Sequence, residues 1–148
     1  MINGSAIVHD STIFLRDTLL NNVTDPISGA RSSNSRFVMS SYPERPAEYP
    51  MITVKANING DAMLGISSES RQVGISFETR IWARNQKEKD EIADDVYDTL
   101  RTYQLDTNES VANGLYGFRI VNMFDLDEAG KGAPKSKVIE GRYFVIAQ

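Results

Sequence analysis

Cysteine is absent from this 148-residue chain, which removes disulfide frameworks, thiolate metal sites and cysteine nucleophiles together. The absence also suits a reducing compartment. Histidine occurs once, at His9 beside Asp10. Such a pair can tune a base, but the sequence brings no nucleophile near it, so no triad is completed and a surface or capping role is expected. No run of about 18 apolar residues exists to cross a bilayer as a helix. The first residues, Met1 to Ser5, have neither a basic region nor an apolar one, so no signal peptide is expected. A basic excess is missing too: 16 Lys and Arg stand against 20 Asp and Glu, for a net charge of −4. That balance argues against a protein that grips a phosphate backbone, since such affinity needs a basic surface that releases counterions.

What remains is ordinary globular material. Apolar residues make up 41% of the chain and charged residues 24%, enough to build one core in one domain without staples. The most informative stretch runs from Val73 to Tyr103. Val73, Ile75, Phe77, Thr79, Ile81 and Ala83 alternate with Ser76, Glu78, Arg80 and Trp82, the period-two pattern of a half-buried strand. After Asn85-Gln86, the residues Ile92, Ala93, Val96, Leu100 and Tyr103 recur at spacings of three and four, which predicts a helix with a narrow apolar stripe. Asn85 is the expected cap, with Glu88 reaching back to it.

Before that stretch, a helix is expected between Ser5 and Val23, capped by Asp10 or Ser11 and ended at Asp25-Pro26. A polar loop follows to Arg36. Phe37–Tyr42 reads as a strand, three prolines between Tyr42 and Pro50 require an extended connector, and Met51–Asn57 reads as another strand. Ile58 to Gln72 reads as a polar link. After the second helix, Tyr103–Gly114 is a polar linker, and two closing strands fall at 115–124, with Tyr116, Phe118 and Ile120 sharing a face, and at 137–146. The predicted fold is α+β: a single, mostly antiparallel sheet of four to five strands with two helices packed on one face, in the order α-β-β-β-α-β-β. It is one domain spanning 1–148, with long loops at 25–36, 58–72 and 125–136.

Several patterns imitate chemistry. Asp90, Glu91, Asp94, Asp95 and Asp98 cluster at helical spacings where carboxylate pairs can hold a hard cation, but beside Lys87, Lys89 and Arg101 a solvated face is favoured. Asp125-Leu-Asp127-Glu-Ala-Gly130 begins like a calcium loop and then fails: position twelve is Ser136 where a glutamate is needed, and Lys131 and Lys135 intrude. Gly130-Lys131 lacks the spacing of a phosphate loop. Arg31 and Arg36, with Phe37 adjacent, offer a weak basic contact to a polyanion. Trp82 lies where alternation calls for a charged residue, two positions from Arg80, so both are candidates for a subunit interface. No cofactor motif is present.

Two stretches carry a family resemblance: Ser41-Tyr-Pro43 followed by Pro50-Met-Ile52-Thr-Val54, and the Ile75–Ala83 strand running into Lys87-Glu-Lys-Asp90-Glu-Ile92-Ala93-Asp-Asp-Val96. With the leucine-bearing first helix and the closing strands, the chain resembles the tail terminator (tail completion) proteins of long-tailed bacterial or archaeal viruses. The resemblance covers most of the chain as an order of elements, and its motifs are loose. It implies a non-enzymatic virion protein of the tail and neck, assembled in the host cytoplasm. Its copies form a ring, commonly a hexamer, on the last ring of tail tube protein, end tube growth and meet a head-side connector protein. DNA passes through the hole without specific binding, and an acidic lumen would not brake it. The ring contacts expected on this basis are Arg31, Arg36, Arg80, Trp82, Asp125, Asp127, Lys131 and Lys135, together with strand edges of the central strand and the final hairpin. The alternatives are a head-closure or connector (neck) ring protein and, more distantly, a metal-binding α+β enzyme domain. A small-ligand binding module is also conceivable, although no polar cluster points to a pocket.

Overall fold

A computed structural model describes residues 2, 6–44, 46–66, 69–127, 129–130 and 132–147. The element order is α1 (Ile7–Asn22), β1 (Val38–Met39), β2 (Met51–Met63), β3 (Arg71–Ala83), α2 (Gln86–Leu105), α3 (Thr107–Ala112), β4 (Tyr116–Asp125) and β5 (Lys135–Ala147). One five-stranded sheet runs β1-β2-β3-β5-β4. Only β1 is parallel to its neighbour, touching β2 at Ile52 and Thr53. All other pairings are antiparallel, so the predicted α+β class and mostly antiparallel sheet hold.

Alternation in β3 follows the sequence pattern: Val73, Ile75, Phe77, Thr79, Ile81 and Ala83 are buried on one face. That face packs against Leu15 and Leu19 of α1 and Ile92, Ala93, Val96 and Leu100 of α2, with Ile139, Tyr143 and Val145 of β5. Each of Ile92, Val96 and Leu100 contributes roughly 1.5–3 kcal/mol by leaving water. Phe77 stacks on Phe118 at 5.3 Å, and Phe118 on Tyr143 at 5.8 Å. Burial pushes the Tyr143 hydroxyl well above its ordinary pKa, and among the described residues neither it nor the buried Ser11 hydroxyl of α1 has a hydrogen-bond partner.

Several boundaries differ from the sequence expectations. The polar link at 58–72 is largely strand, because β2 runs on to Met63 and β3 starts at Arg71. From Asn57 onward β2 is exposed on both faces, so no burial imposes alternation on its composition. The expected strand at 37–42 shrinks to Val38–Met39. The 103–114 linker is helix: α2 continues to Leu105, and Asp106 caps α3 by accepting from the Glu109 amide. Helix α1 starts at Ile7 after Ala6 with no side-chain cap, and Asp10 and Ser11 lie inside its first turns. It ends at Asn22, three residues before Asp25-Pro26.

Asn85 does cap α2, accepting from the Glu88 amide at 2.9 Å. The Glu88 carboxylate turns to the Arg84 amide and guanidinium instead of to Asn85. Register shifts near Gly117 and Val121 rotate β4 so that Tyr116 pairs with Phe144 and is exposed, opposite the face of buried Phe118. Finally, the central strand β3 has no free edge. The outer strands are β4 and β2 beyond Thr53, and on β4 the Ile120 and Met123 amides donate to the Gln104 and Asn122 side chains.

Candidate functional site

The candidate residues converge at one end of the sheet. Register places Trp82 opposite Ser136, Ala83 opposite Lys135, and Ile81 opposite Lys137. Lys137 in turn faces Asp125. The β2–β3 turn lies at the other end.

Lys89 organises this end. Its side chain is 0% exposed, and its ammonium lies 2.9 Å from Asp125 and 3.2 Å from Asp127. Burial opposes the charge, but hydrogen bonds and attraction from the two carboxylates outweigh it and hold the pKa above its ordinary value. Asp127 also accepts from the Ser136 amide at 2.8 Å. That bond first, and Lys89 with it, keeps its pKa low. Lys137 extends the network to Asp90 at 2.9 Å and Asp125 at 3.6 Å. The hydrogen bond between Lys137 and Asp90 raises the one pKa and lowers the other. The carboxylates that imitate the start of a calcium loop therefore face a lysine ammonium, which already supplies the positive charge. Lys89, expected on the solvated face of this helix, is internal instead: it lies three residues before Ile92 and seven before Val96, on the apolar stripe.

On the other face, the Arg80 guanidinium stacks over Trp82 at 3.7 Å and donates to the Ser136 hydroxyl at 3.0 and 3.2 Å and to the Leu126 carbonyl at 3.3 Å. Trp82 is only 7% exposed. Its indole N–H donates to the Thr53 hydroxyl at 3.1 Å, and its ring meets Tyr42 edge-on at 5.0 Å. The odd tryptophan is thus covered by its own chain, with a connector residue, Tyr42, serving as its lid.

Arg31 corrects the expectation of a basic contact offered from the polar loop. Its side chain is 0% exposed. It forks onto Asp25 at 2.6 and 2.9 Å and donates to the Glu48 carbonyl at 2.7 Å and the Pro50 carbonyl at 2.5 Å. Although burial raises the Asp25 pKa, the hydrogen bond from Arg31 and the Ile27 amide bring it below normal. Arg31 is a clip that ties the first loop to the proline connector, and it offers no guanidinium to a partner. Arg36 pairs with Glu48 at 3.1 Å and keeps about a quarter of its side chain exposed. Lys135 is half-buried at the start of β5. Lys131 lies outside the described residues. His9 is exposed on α1. Among the described residues, no group of three or more His, Cys, Asp or Glu is placed to hold a metal ion.

No protein-family model matches this chain, and no curated protein matches it. Among the described residues, no helix is long and apolar enough to cross a membrane.

Lys89, Asp125, Asp127 and Ser136 fasten the β4–β5 connection to α2, while Arg31 fastens the first loop to the proline connector. Both are internal ties within one chain.

Proposed function

We propose that this chain is a structural virion protein of the tail terminator kind, forming a ring at the head-proximal end of a tail tube, ending its growth and joining it to the head connector. The observation that supports the reading is a one-sided slab whose sheet ends at either side in an outer strand, the outer part of β2 and a β4 of which, among the described residues, only the Ile120 and Met123 amides are held by side chains of the same chain. Exposed sheet edges invite pairing and are usually blunted or covered. A ring of identical copies covers both at once through a head-to-tail contact. The order of elements that underlies the family resemblance agrees with this reading, and the loops tied down by Arg31 and Lys89 suit a part that acts by shape. The acidic balance fits a hole through which DNA slides.

A head-closure or connector ring would share these properties. Affinity capture from infected-cell lysate separates the two: tail tube protein is expected to co-purify, and recovery of portal-side proteins alone would favour the connector. The enzymatic alternative requires Asp125 and Asp127 to take a cation. Calorimetric titration with calcium, magnesium and manganese is expected to be flat, and saturable heat lost on Asp127→Asn would support that alternative.

A further inference from the structure

We infer that two copies of this chain pack back to back, with the uncovered faces of their sheets together, about a two-fold axis that lies across the strands. Both long helices pack on the other face, and the uncovered one carries a charge pattern that its own sheet leaves unsatisfied. Register sets Lys55, Glu78, Glu140 and Asn122 in one lateral row, and Asn57, Ser76, Arg142 and Arg119 in the next. Glu78 therefore stands beside Glu140, and Arg142 beside Arg119. Like charges directly opposite on neighbouring strands destabilise a sheet. Among the described residues none of these four is in an ion pair, and all are exposed or half-buried. A polyanion would relieve the arginines but be repelled by the glutamates one row away, about 7 Å along the strand. The partner that suits this face carries both signs at that spacing, and the face itself is such a surface.

A two-fold between the two rows exchanges them while keeping each strand above its own counterpart. Glu140 of each copy then meets Arg142 of the other, Glu78 meets Ser76, Asn122 meets Arg119 and Lys55 meets Asn57. No like charges are brought together. The flanking rows match as well. On one side lie Thr53, Arg80, Val138 and Phe124, on the other Gly60, Gly74, Phe144 and Tyr116. The axis sets Phe124 on the exposed Tyr116. It also sets Arg80, with the Trp82 ring and the exposed Tyr42 lid beyond it, above a hollow lined by Asn59, Gly60, Gly74, Arg142 and Phe144. The raised end of one copy thus faces the sunken end of the other. Sheets packed face to face lie about 10 Å apart with strands within about 30° of alignment, a gap that glutamate and arginine side chains span together. Four strands about 4.8 Å apart over some seven residues bury on the order of 1,000 Å² in total, the lower limit for a specific interface. The dimer is accordingly expected to be concentration-dependent. A head-to-tail ring joins strand edges and leaves this face bare, so the contact lies outside the ring reading.

Charge reversal tests the two-fold directly. Glu140→Arg alone sets arginine against arginine at both symmetric contacts, and Arg142→Glu alone sets glutamate against glutamate. A mixture of the two single variants restores opposite charges at both contacts, as does the double variant with itself. Sedimentation equilibrium of the folded protein over a range of concentrations is expected to show the parent chain passing from monomer to dimer. Each single variant should associate at least about tenfold more weakly, and the mixture and the double variant should recover. Circular dichroism checks that each variant folds. Where one does not, a salt series on the parent chain decides, since raised ionic strength is expected to weaken the association. A parent chain that stays monomeric at the highest concentration overturns the inference and leaves the face to a different protein. So do single variants that dimerise like the parent, a mixture that stays monomeric, or association indifferent to salt. The ring reading fails separately: a parent chain that dimerises in this way but ignores tail tubes removes the ring and keeps the two-fold contact, whereas capped tubes from a chain that never dimerises in solution do the reverse.

Discussion

The Lys89 ammonium, with its side chain fully enclosed between α2 and the β4–β5 connection, sits 2.9 Å from Asp125 and 3.2 Å from Asp127. The arrangement is asymmetric: Asp125 keeps 53% and Asp127 33% of its side chain exposed. The cation depends on its partners far more than they depend on it. Removing both carboxylates strands a buried charge, while removing the lysine leaves carboxylates that water can reach.

That asymmetry sets the first expectation. Asp125→Asn with Asp127→Asn should cost about 3 kcal/mol, the low end for an uncompensated buried ion. Adding Lys89→Met on that background should recover most of the loss, because an apolar side chain of similar length fills the same space. Urea denaturation of the single, double and triple variants measures the cycle. A triple variant no more stable than the double would show that packing, not charge, holds this end.

Stability should also depend on pH in a set direction. Asp127, Asp90, Glu88 and Asp25 have lowered pKa values. Each contributes stability that is complete above its unfolded value and is lost as pH falls through its folded one. The ordinary values are 3.8 for aspartate and 4.5 for glutamate, so the loss begins as pH drops through that range. Lys89 and Lys137 are raised from 10.5. Their contribution is complete below 10.5 and disappears as pH climbs through the folded values. A plateau bounded by an acid and an alkaline limb is expected in denaturation midpoints, and Asp90→Asn should flatten part of the acid limb.

Arg31 should not tolerate a conservative exchange. Arg31→Lys keeps the charge but loses the planar fork that reaches Asp25 twice and two backbone carbonyls besides. Left unpaired, those acceptors should cost about 2 kcal/mol or more. Thermal melting measures the loss, and a melting temperature unchanged from the parent would contradict the clip.

Gly141 is the tightest point of the core face. A Cβ there would lie 2.2 Å from the Phe77 ring and 2.7 Å from the Arg119 carbonyl oxygen. The ring can shift, but the backbone of β4 cannot without breaking its pairing with β5. Gly141→Ala is expected to cost about 3 kcal/mol. Phe77→Leu on that background should relieve part of it, as a double-mutant cycle by urea denaturation would register.

These ties explain what the sequence revealed and what it hid. The strand at Val73–Ala83 and the helix from Gln86 were legible because each is covered on one side, and burial writes its period into the residues. The outer part of β2 was hidden for the opposite reason: uncovered on both faces, it uses Asn, Gly and Asp without alternation and reads as a link. Helix α3 carried a readable signal, Asp106 three residues before Glu109, inside a stretch too polar to show a stripe. Lys89 and Arg31 were misplaced because a charged residue is assumed to face water, and only three-dimensional partners reveal otherwise. Trp82 drew attention as an anchor for another subunit, yet Arg80, Thr53 and Tyr42 already surround it. The span of β4 was legible to within a residue, but its facing was not, since a bulge near Gly117 moves Tyr116 to the opposite face from Phe118.

The central claim is that this protein works as a closed ring seated on a cylinder. Electron microscopy of the purified protein mixed with tail tubes, with mass photometry of the protein alone for comparison, tests it most directly. A single layer of fixed copy number capping one end of each tube is the expected result. Tubes with bare ends, or protein scattered along their walls, would contradict it.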